Sequence, residues 1–200
     1  MAVAAVPLVA DFVTKEIALA NFSPYDPVEL LGGFLRLTLV FNSGAAFSIG
    51  TGVTWVFSLV MIGVILYILW MSRKLYSAWW AVSLGLILSG ATGNFIDRLW
   101  RPDTRELSAA LVGPEARGTL WERLLSPPSP LNGHVVDWIQ LPNYPVFNIA
   151  DSGIVCGGVL TVVLAFRGIN IDGTRESGGP GKTGPAESAA RPATEEDGRE

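Results

Sequence analysis

The chain has 200 residues, 50% hydrophobic and 16% charged with a mean hydropathy of +0.40, whereas average soluble domains carry about 25% charged residues. One cysteine, Cys156, and one histidine, His134, exclude an internal disulfide framework, a CxxC zinc or redox site and a multi-histidine metal site. A net charge of −4 and a pI near 5.0 leave no basic footprint for binding nucleic acid.

The first predicted element is a helix over residues 1–20, in which Asp11, Lys15 and Glu16 interrupt an apolar pattern. The segment lacks the basic leading region and the small-residue cleavage site of a signal peptide, so we expect a retained helix. Only ten residues precede Asp11, which is about 15 Å of helix at 1.5 Å per residue. That length is half a membrane, which leaves two alternatives open: a misassigned start codon or a first helix that is cut short.

Two long uncharged stretches follow, over residues 37–72 and 75–96. Each exceeds the roughly 20 apolar residues that a helix needs to cross a bilayer. Turn signals around Gly44 and Gly52 divide the first stretch. We predict a strand over 34–40 from its alternation and β-branching, a spanning helix over 54–71, and another spanning helix over 79–95.

The last third of the chain contains an insert, a fourth helix and a tail. Residues 99–133 form a long insert, which could be a lid, a partner site or, as we favour, a passive surface loop. Residues 145–166 predict a spanning helix with Pro145 at its N-terminus. Residues 172–200 contain no Val, Ile, Leu, Met or aromatic residue, and their seven acidic and four basic residues give a net charge of −3. We therefore expect a membrane body over 1–171 and a disordered cytoplasmic tail over 172–200.

The basic residues predict which way the chain crosses the membrane. Four spans place both termini on one side, and Arg73, Lys74 and Arg167 flank the spans on that side. By the positive-inside rule those ends are cytoplasmic. Arg98 and Arg101, just beyond the third helix on the other side, weaken the asymmetry. Residues 21–53 and 97–144 would then lie outside the cytoplasm.

Two aspartates lie in or beside apolar helices, where a carboxylate is costly and usually functional. Asp97 and Asp151 each follow an asparagine by three residues, Asn94 and Asn148 respectively. This spacing places each amide and carboxylate on one helical face, so we expect the amide NH₂ to donate to the acid one turn later. Arg98 directly follows Asp97, which predicts a structural ion pair for Asp97.

A second carboxylate near Asp151 would create an acid–base pair. Asp137 lies in an alternating stretch just before the fourth predicted helix, at the outer membrane surface. Two adjacent carboxylates that share one proton provide a base for water and an acid for a departing amine, as in aspartic proteases. The chemistry alone leaves three alternatives: a hydrolytic pair, a proton- or cation-coupled transporter that uses Asp97 and Asp151, and a structural role.

Five short blocks, in order along the chain, separate these alternatives. They are Asp-Phe-Val-Thr-Lys at 11–15, Asn-Ser-Gly-Ala-Ala-Phe-Ser at 42–48, Gly-Asn-Phe-Ile-Asp-Arg at 93–98, Val-Val-Asp-Trp-Ile at 135–139 and Phe-Asn-Ile-Ala-Asp-Ser at 147–152. Together they resemble the signature blocks of the lipoprotein signal peptidase family, also called signal peptidase II. The resemblance implies a mainly α membrane protein with four transmembrane helices and a small extracytoplasmic β-cradle.

The resemblance also implies an activity. It is that of an aspartic endopeptidase of the bacterial plasma membrane, which removes the signal peptide from diacylglyceryl-modified prolipoproteins by cleaving before the lipidated cysteine. No metal or organic cofactor is implied. The active site would face the extracytoplasmic side. The partners would be lipidated prolipoproteins and membrane lipid, without nucleic acid, and we expect a monomer.

The family's functional positions transfer to residues of this chain. Asp137 and Asp151 match the catalytic pair, one as the base toward water and the other as the acid toward the leaving nitrogen. Asn148 would orient the pair or the substrate, and Asp97 would hold the site together through an ion pair. The positions that match substrate-binding or supporting residues are Asp11, Lys15, Asn42, Asn94, Asp97, Arg98 and Asn148.

Overall fold

The computed structural model describes residues 2–44, 54–101, 131 and 133–175. Its main elements are α1 (Ala2–Asn21), β1 (Val28–Leu30), β2 (Leu35–Asn42), α2 (Thr54–Met71), α3 (Ala78–Trp100), β3 (Val135–Gln140) and α4 (Ile149–Phe166). Most of the predicted insert, residues 45–48 of the second signature block and residues 176–200 of the predicted tail lie outside the described residues. The protein is therefore mainly helical with a small sheet, as expected.

Three of the described helices, α2, α3 and α4, are long and apolar enough to cross a membrane. The central one is α3, which contacts α1, α2 and α4. In the apolar part of α3, 56% of the residues are buried in the protein. The corresponding value is 11% for the candidate span Trp55–Lys74, which includes nearly all of α2. Close packing of α3 on α4 depends on Gly90 and Gly157. A Cβ on Gly90 would collide with the Ala150 carbonyl, and one on Gly157 would lie 2.7 Å from the Ser83 carbonyl oxygen.

The three strands form an antiparallel sheet in the order β1-β2-β3. In the register of β2 and β3, Val40 lies opposite Asp137. Apolar side chains of the sheet, Leu39 and Val136, pack on Ala18 and Leu19 near the end of α1. The sheet therefore covers one end of the helices, which we call the sheet end; the opposite end, near Met71, is the far end.

The two ends of the insert meet at the sheet end. The Gly133 N–H donates to the Arg98 carbonyl oxygen over 3.0 Å, and a Cβ on Gly133 would lie 2.6 Å from the Arg101 carbonyl oxygen. The chain therefore leaves α3 and returns to β3 at nearly the same point.

Two predicted helix boundaries differ from the structure. The third helix extends to Trp100 instead of residue 95, and the fourth begins at Ile149 instead of Pro145. The placement of Pro145 at a helix N-terminus was wrong because the chain there is still extended. The Phe147 N–H donates to the Ile139 carbonyl oxygen over 2.9 Å, so this segment pairs with β3 before α4 starts.

Candidate active site

Asp137 lies in β3, and its side chain points inward, only 1% exposed. Each carboxylate oxygen accepts one amide hydrogen bond. Asn42 Nδ2 donates to Oδ2 over 2.9 Å, and Asn148 Nδ2 donates to Oδ1 over 2.6 Å. Burial and then the charge of Asp151 raise the pKa of Asp137 from its ordinary 3.8 to about 7. Asp137 therefore retains a proton near neutral pH.

Asp151 is held at the N-terminus of α4 by a reciprocal cap. Asn148 is the N-cap residue: its Oδ1 accepts from the Asp151 N–H over 2.9 Å, while the Asn148 N–H donates to Asp151 Oδ2 over 3.2 Å. This capping box satisfies two backbone donors that a helix start leaves unpaired. The other oxygen, Asp151 Oδ1, accepts from Asn94 Nδ2 over 2.7 Å.

The expected pairing of each asparagine with the aspartate three residues later was wrong. Asn148 lies just before the first residue of α4, and its side-chain oxygen accepts from a backbone N–H of that helix. Its NH₂ group therefore donates to Asp137 instead of Asp151. Asn94 donates across to Asp151 on another helix and not to Asp97 one turn away. Asn148 therefore links the two aspartates: its buried side chain donates to the Asp137 carboxylate and accepts from the Asp151 N–H, while its backbone N–H donates to the Asp151 carboxylate.

A buried ion cluster lies directly behind this pair. The Lys15 ammonium is fully buried and contacts Asp11 Oδ2 and Asp97 Oδ2, both at 2.8 Å, and Asn94 Oδ1 at 2.9 Å. An ammonium has three donors and no acceptor, so three oxygens match it. Asp11 reaches onward with Oδ1, which accepts from the Ala150 N–H over 2.8 Å. The cluster thereby joins α1, α3 and the first turn of α4.

Asp97 forms ion pairs, but with partners other than its neighbour in sequence. Besides Lys15, it contacts Arg101 through a 2.6 Å bond from Nε to Oδ1, and its Oδ2 accepts from the Val136 N–H over 3.1 Å. Arg98 points elsewhere: its Nη1 donates to the carbonyl oxygens of Ser43 and Gly133 over 3.2 and 3.4 Å. Arg98 therefore ties the chain after β2 to the chain before β3.

Sequence reasoning missed Arg101 and Glu16 as supporting residues. Arg101 Nη2 contacts Glu16 Oε1 at 3.1 Å while its Nε holds Asp97. The four-residue spacing of Asp97 and Arg101 on one helical face was the available signal. Among the described residues no group of three or more His, Cys, Asp and Glu side chains could hold a metal ion.

Comparison with known proteins gives concordant matches. A family model described as "Signal peptidase (SPase) II" matches residues 3–167. A lipoprotein signal peptidase of Rhodococcus jostii (strain RHA1) is 43% identical over 174 residues, which cover 87% of this chain and 75% of that relative. A protein of the same name from Mycolicibacterium smegmatis is 44% identical over 172 residues, which cover 86% of this chain and 63% of that relative.

A solved structure is similar in fold. It is described as "Bacterial membrane enzyme structure by the in meso method at 1.9 A resolution" and superposes with a TM-score of 0.61 at 27% sequence identity. The superposition covers 82% of this chain and 90% of that chain.

Proposed function

The chain belongs to the signal peptidase II family, and on that premise we propose that Asp137 and Asp151 are the catalytic pair of an aspartic endopeptidase. As a family member the protein is a membrane protease that removes signal peptides from prolipoproteins. The observation that supports the pair is the Asn148 side chain, which hydrogen-bonds Asp137 and, through the cap, Asp151. The transporter alternative has no support from the matching family or relatives.

The proposed reaction needs one proton between the two carboxyl groups. Because Asp137 keeps its proton up to about pH 7, we assign it as the acid and Asp151 as the base. The Asp151 carboxylate takes a proton as the water oxygen bonds to the scissile carbonyl carbon. Asp137 then gives its proton to the peptide nitrogen as the C–N bond breaks.

Lys15 and Asn94 act as positioning residues in this proposal. Lys15 can only donate, so Asn94 must turn its oxygen toward the ammonium and its NH₂ group toward Asp151. The reversed amide would place NH₂ against NH₃⁺ and an oxygen against the carboxylate. The ammonium, together with Asn148 Nδ2, which donates to the same oxygen over 3.1 Å, therefore keeps the NH₂ group of Asn94 turned toward the proposed base.

We further propose that α1 is a fourth membrane span. Its 20 residues are about 30 Å long at 1.5 Å per residue, which matches the hydrocarbon core. The charged residues Asp11 and Lys15 point inward and are buried, while Val6, Val9 and Ile17 are exposed. The charged residues that interrupt the apolar sequence of α1 therefore face the protein, and the exposed valine and isoleucine side chains face the lipid.

The proposed orientation places the catalytic pair outside the cytoplasm. Arg73 and Lys74 lie at the far end in the turn between α2 and α3, opposite to the sheet end. At the sheet end, Arg98 and Arg101 are buried; Arg98 donates to a carbonyl oxygen and Arg101 to a carboxylate. Since the positive-inside rule concerns charges in loops, these two arginines no longer oppose it. Both termini would be cytoplasmic and the chain monomeric.

The substrate proposal is tested with a matched pair of precursors. The purified enzyme is incubated in detergent with a prolipoprotein that carries diacylglycerol on its cysteine and with the same precursor unlipidated. We expect cleavage before the cysteine in the lipidated form only, seen as a gel shift and located by mass spectrometry. Equal cleavage of both forms would contradict a lipid requirement, and cleavage elsewhere would contradict the proposed bond.

The pKa of Asp137 predicts the pH dependence of cleavage. As the acid, Asp137 works only while protonated, so kcat/KM should fall as the pH rises through about 7. The Asn42 hydrogen bond lowers this pKa, and the Asn42→Ala variant should move the alkaline limb to higher pH. The measurement is kcat/KM from about pH 5 to about pH 9. A limb that stays in place or moves to lower pH would contradict the assignment.

A further inference from the structure

A groove opens at the far end of the helices, away from the catalytic pair. It has a volume of about 620 Å³ and is lined by α2, α3, Ala165 of α4 and the turn that follows α4. Its walls are mostly apolar and include Trp70, Met71, Ile169 and Ile171, and Lys74 lies at its rim. The Lys74 ammonium is 5.4 Å from the centre of the Trp70 ring.

The groove is built into the fold by the turn after α4. The Ile171 carbonyl oxygen accepts from the N–H groups of Tyr76 and Ser77 over 3.1 and 3.0 Å, just before α3 begins. Trp80 Nε1 donates to the Ile169 carbonyl oxygen over 2.7 Å. These bonds fasten the turn to α3, so one wall of the groove is held in place without a ligand.

Cations lie in and next to the groove: Lys74 belongs to its lining, and Arg73 and Arg167 each adjoin a lining residue in the sequence. Arg73 and Lys74 precede α3, Arg167 follows α4, and all three are exposed. The acidic residue of the lining, Asp172, turns its Oδ1 to the Thr174 N–H and hydroxyl, which donate over 2.9 and 2.6 Å. Asp172 keeps its negative charge, but the three cations outnumber this one anion, so the net charge of these four residues is positive.

The depth of the groove matches the boundary between lipid tails and headgroups. The candidate spans end here, and Tyr76 and Trp79 beside the groove are 81% and 63% exposed. Exposed aromatic residues of this kind are typical of the headgroup level of a membrane. An apolar trough lies toward the tails, and the cations lie toward the water.

We propose that this groove binds one anionic phospholipid of the leaflet opposite to the catalytic pair. The phosphate contacts Lys74 and Arg73, and the upper acyl carbons lie along Trp70 and Ile171. Cations near an anionic lipid surface contribute about fivefold in affinity each. The site is separate from the peptidase chemistry and does not depend on the assignment of the catalytic pair.

The test is a lipid titration of the purified full-length protein in detergent, followed by thermal unfolding. Phosphatidylglycerol and phosphatidylcholine with the same acyl chains are the two ligands. We expect phosphatidylglycerol to raise Tm at a lower concentration than phosphatidylcholine. The Arg73→Gln/Lys74→Gln variant should lower the apparent affinity for phosphatidylglycerol by at least about fivefold. Ala165→Phe, which fills the groove from α4, should weaken binding of the lipid without changing charge.

A control variant separates this site from general surface charge. Arg36 is an exposed cation at the sheet end, paired with Glu29 at 2.8 Å, and Arg36→Gln should leave the preference for phosphatidylglycerol intact. Equal responses of the unaltered protein to both lipids would overturn the proposal. So would an unchanged response of the two groove variants, or loss of the preference in Arg36→Gln.

Discussion

Asp137→Asn and Asp151→Asn, each made alone, are expected to lower kcat for prolipoprotein cleavage by about 10³-fold, within the range that proton transfer contributes to catalysis. Asparagine fills the same volume but can neither take a proton from water nor give one to the leaving nitrogen. The measurement is single-turnover cleavage of the diacylated precursor by purified protein. The double variant should be no worse than either single one, because the two groups act as a unit.

Stability measurements keep this result interpretable. Asp137 is buried beside another carboxyl group and is protonated below about pH 7, so at such pH a neutral replacement hardly changes the charge of the site, and Tm should not fall greatly. The same burial means that the contribution of Asp137 to stability is present below about pH 4 and is lost as the pH rises to about 7. Asp26→Asn, in an exposed loop, is the matched control and should retain full activity. Normal cleavage by either catalytic variant would reject the proposed pair.

Lys15→Met should destabilise the protein by about 3–5 kcal/mol, the usual cost of leaving a buried charge without its partner. The ammonium is the shared partner of Asp11 and Asp97, and neither carboxylate is in contact with water. Methionine retains the length of the side chain, so the loss is one of charge and hydrogen bonds. The measurement is Tm in detergent beside the unaltered protein.

A charge-balanced variant separates folding from positioning. Lys15→Met/Asp11→Asn removes one charge of each sign, and the amide oxygen introduced at position 11 can still accept from the Ala150 N–H, so most of the lost stability should return. We expect kcat to remain low with KM nearly unchanged, because Asn94 Oδ1 then keeps only the 3.1 Å bond from Asn148 Nδ2 to hold its orientation. Full recovery of kcat in this variant would show that Lys15 has only a structural role.

The apolar helices could be predicted from sequence because membrane spans depend on local composition. The bounds of α2, Thr54–Met71, agree with the prediction residue for residue. The end of α3 and the start of α4 were predicted less well, because side-chain contacts determine these two helix boundaries. The Asp97–Arg101 pair lies in the last turn of α3, beyond the uncharged stretch, and the Asn148 cap delays the start of α4.

The candidate site was predicted as a set of residues but not as a network. Asp137, Asp151 and Asn148 are close in sequence, and their proximity follows from a short connection between β3 and α4. The contacts of Lys15 with Asn94 and of Asn42 with Asp137 span 79 and 95 residues. Such pairings depend on how helices and sheet pack, which no local spacing reveals.

The meeting of Gly133 with Arg98 and Arg101 has a consequence for engineering. Because the chain departs from α3 and returns to β3 at adjoining points, the distance between these two elements does not depend on the length of the segment that connects them. Closing a longer loop costs only about 0.6 kcal/mol per doubling. A reporter domain or affinity tag whose own ends lie close together could replace residues 102–130 without stretching the frame that carries Asp137.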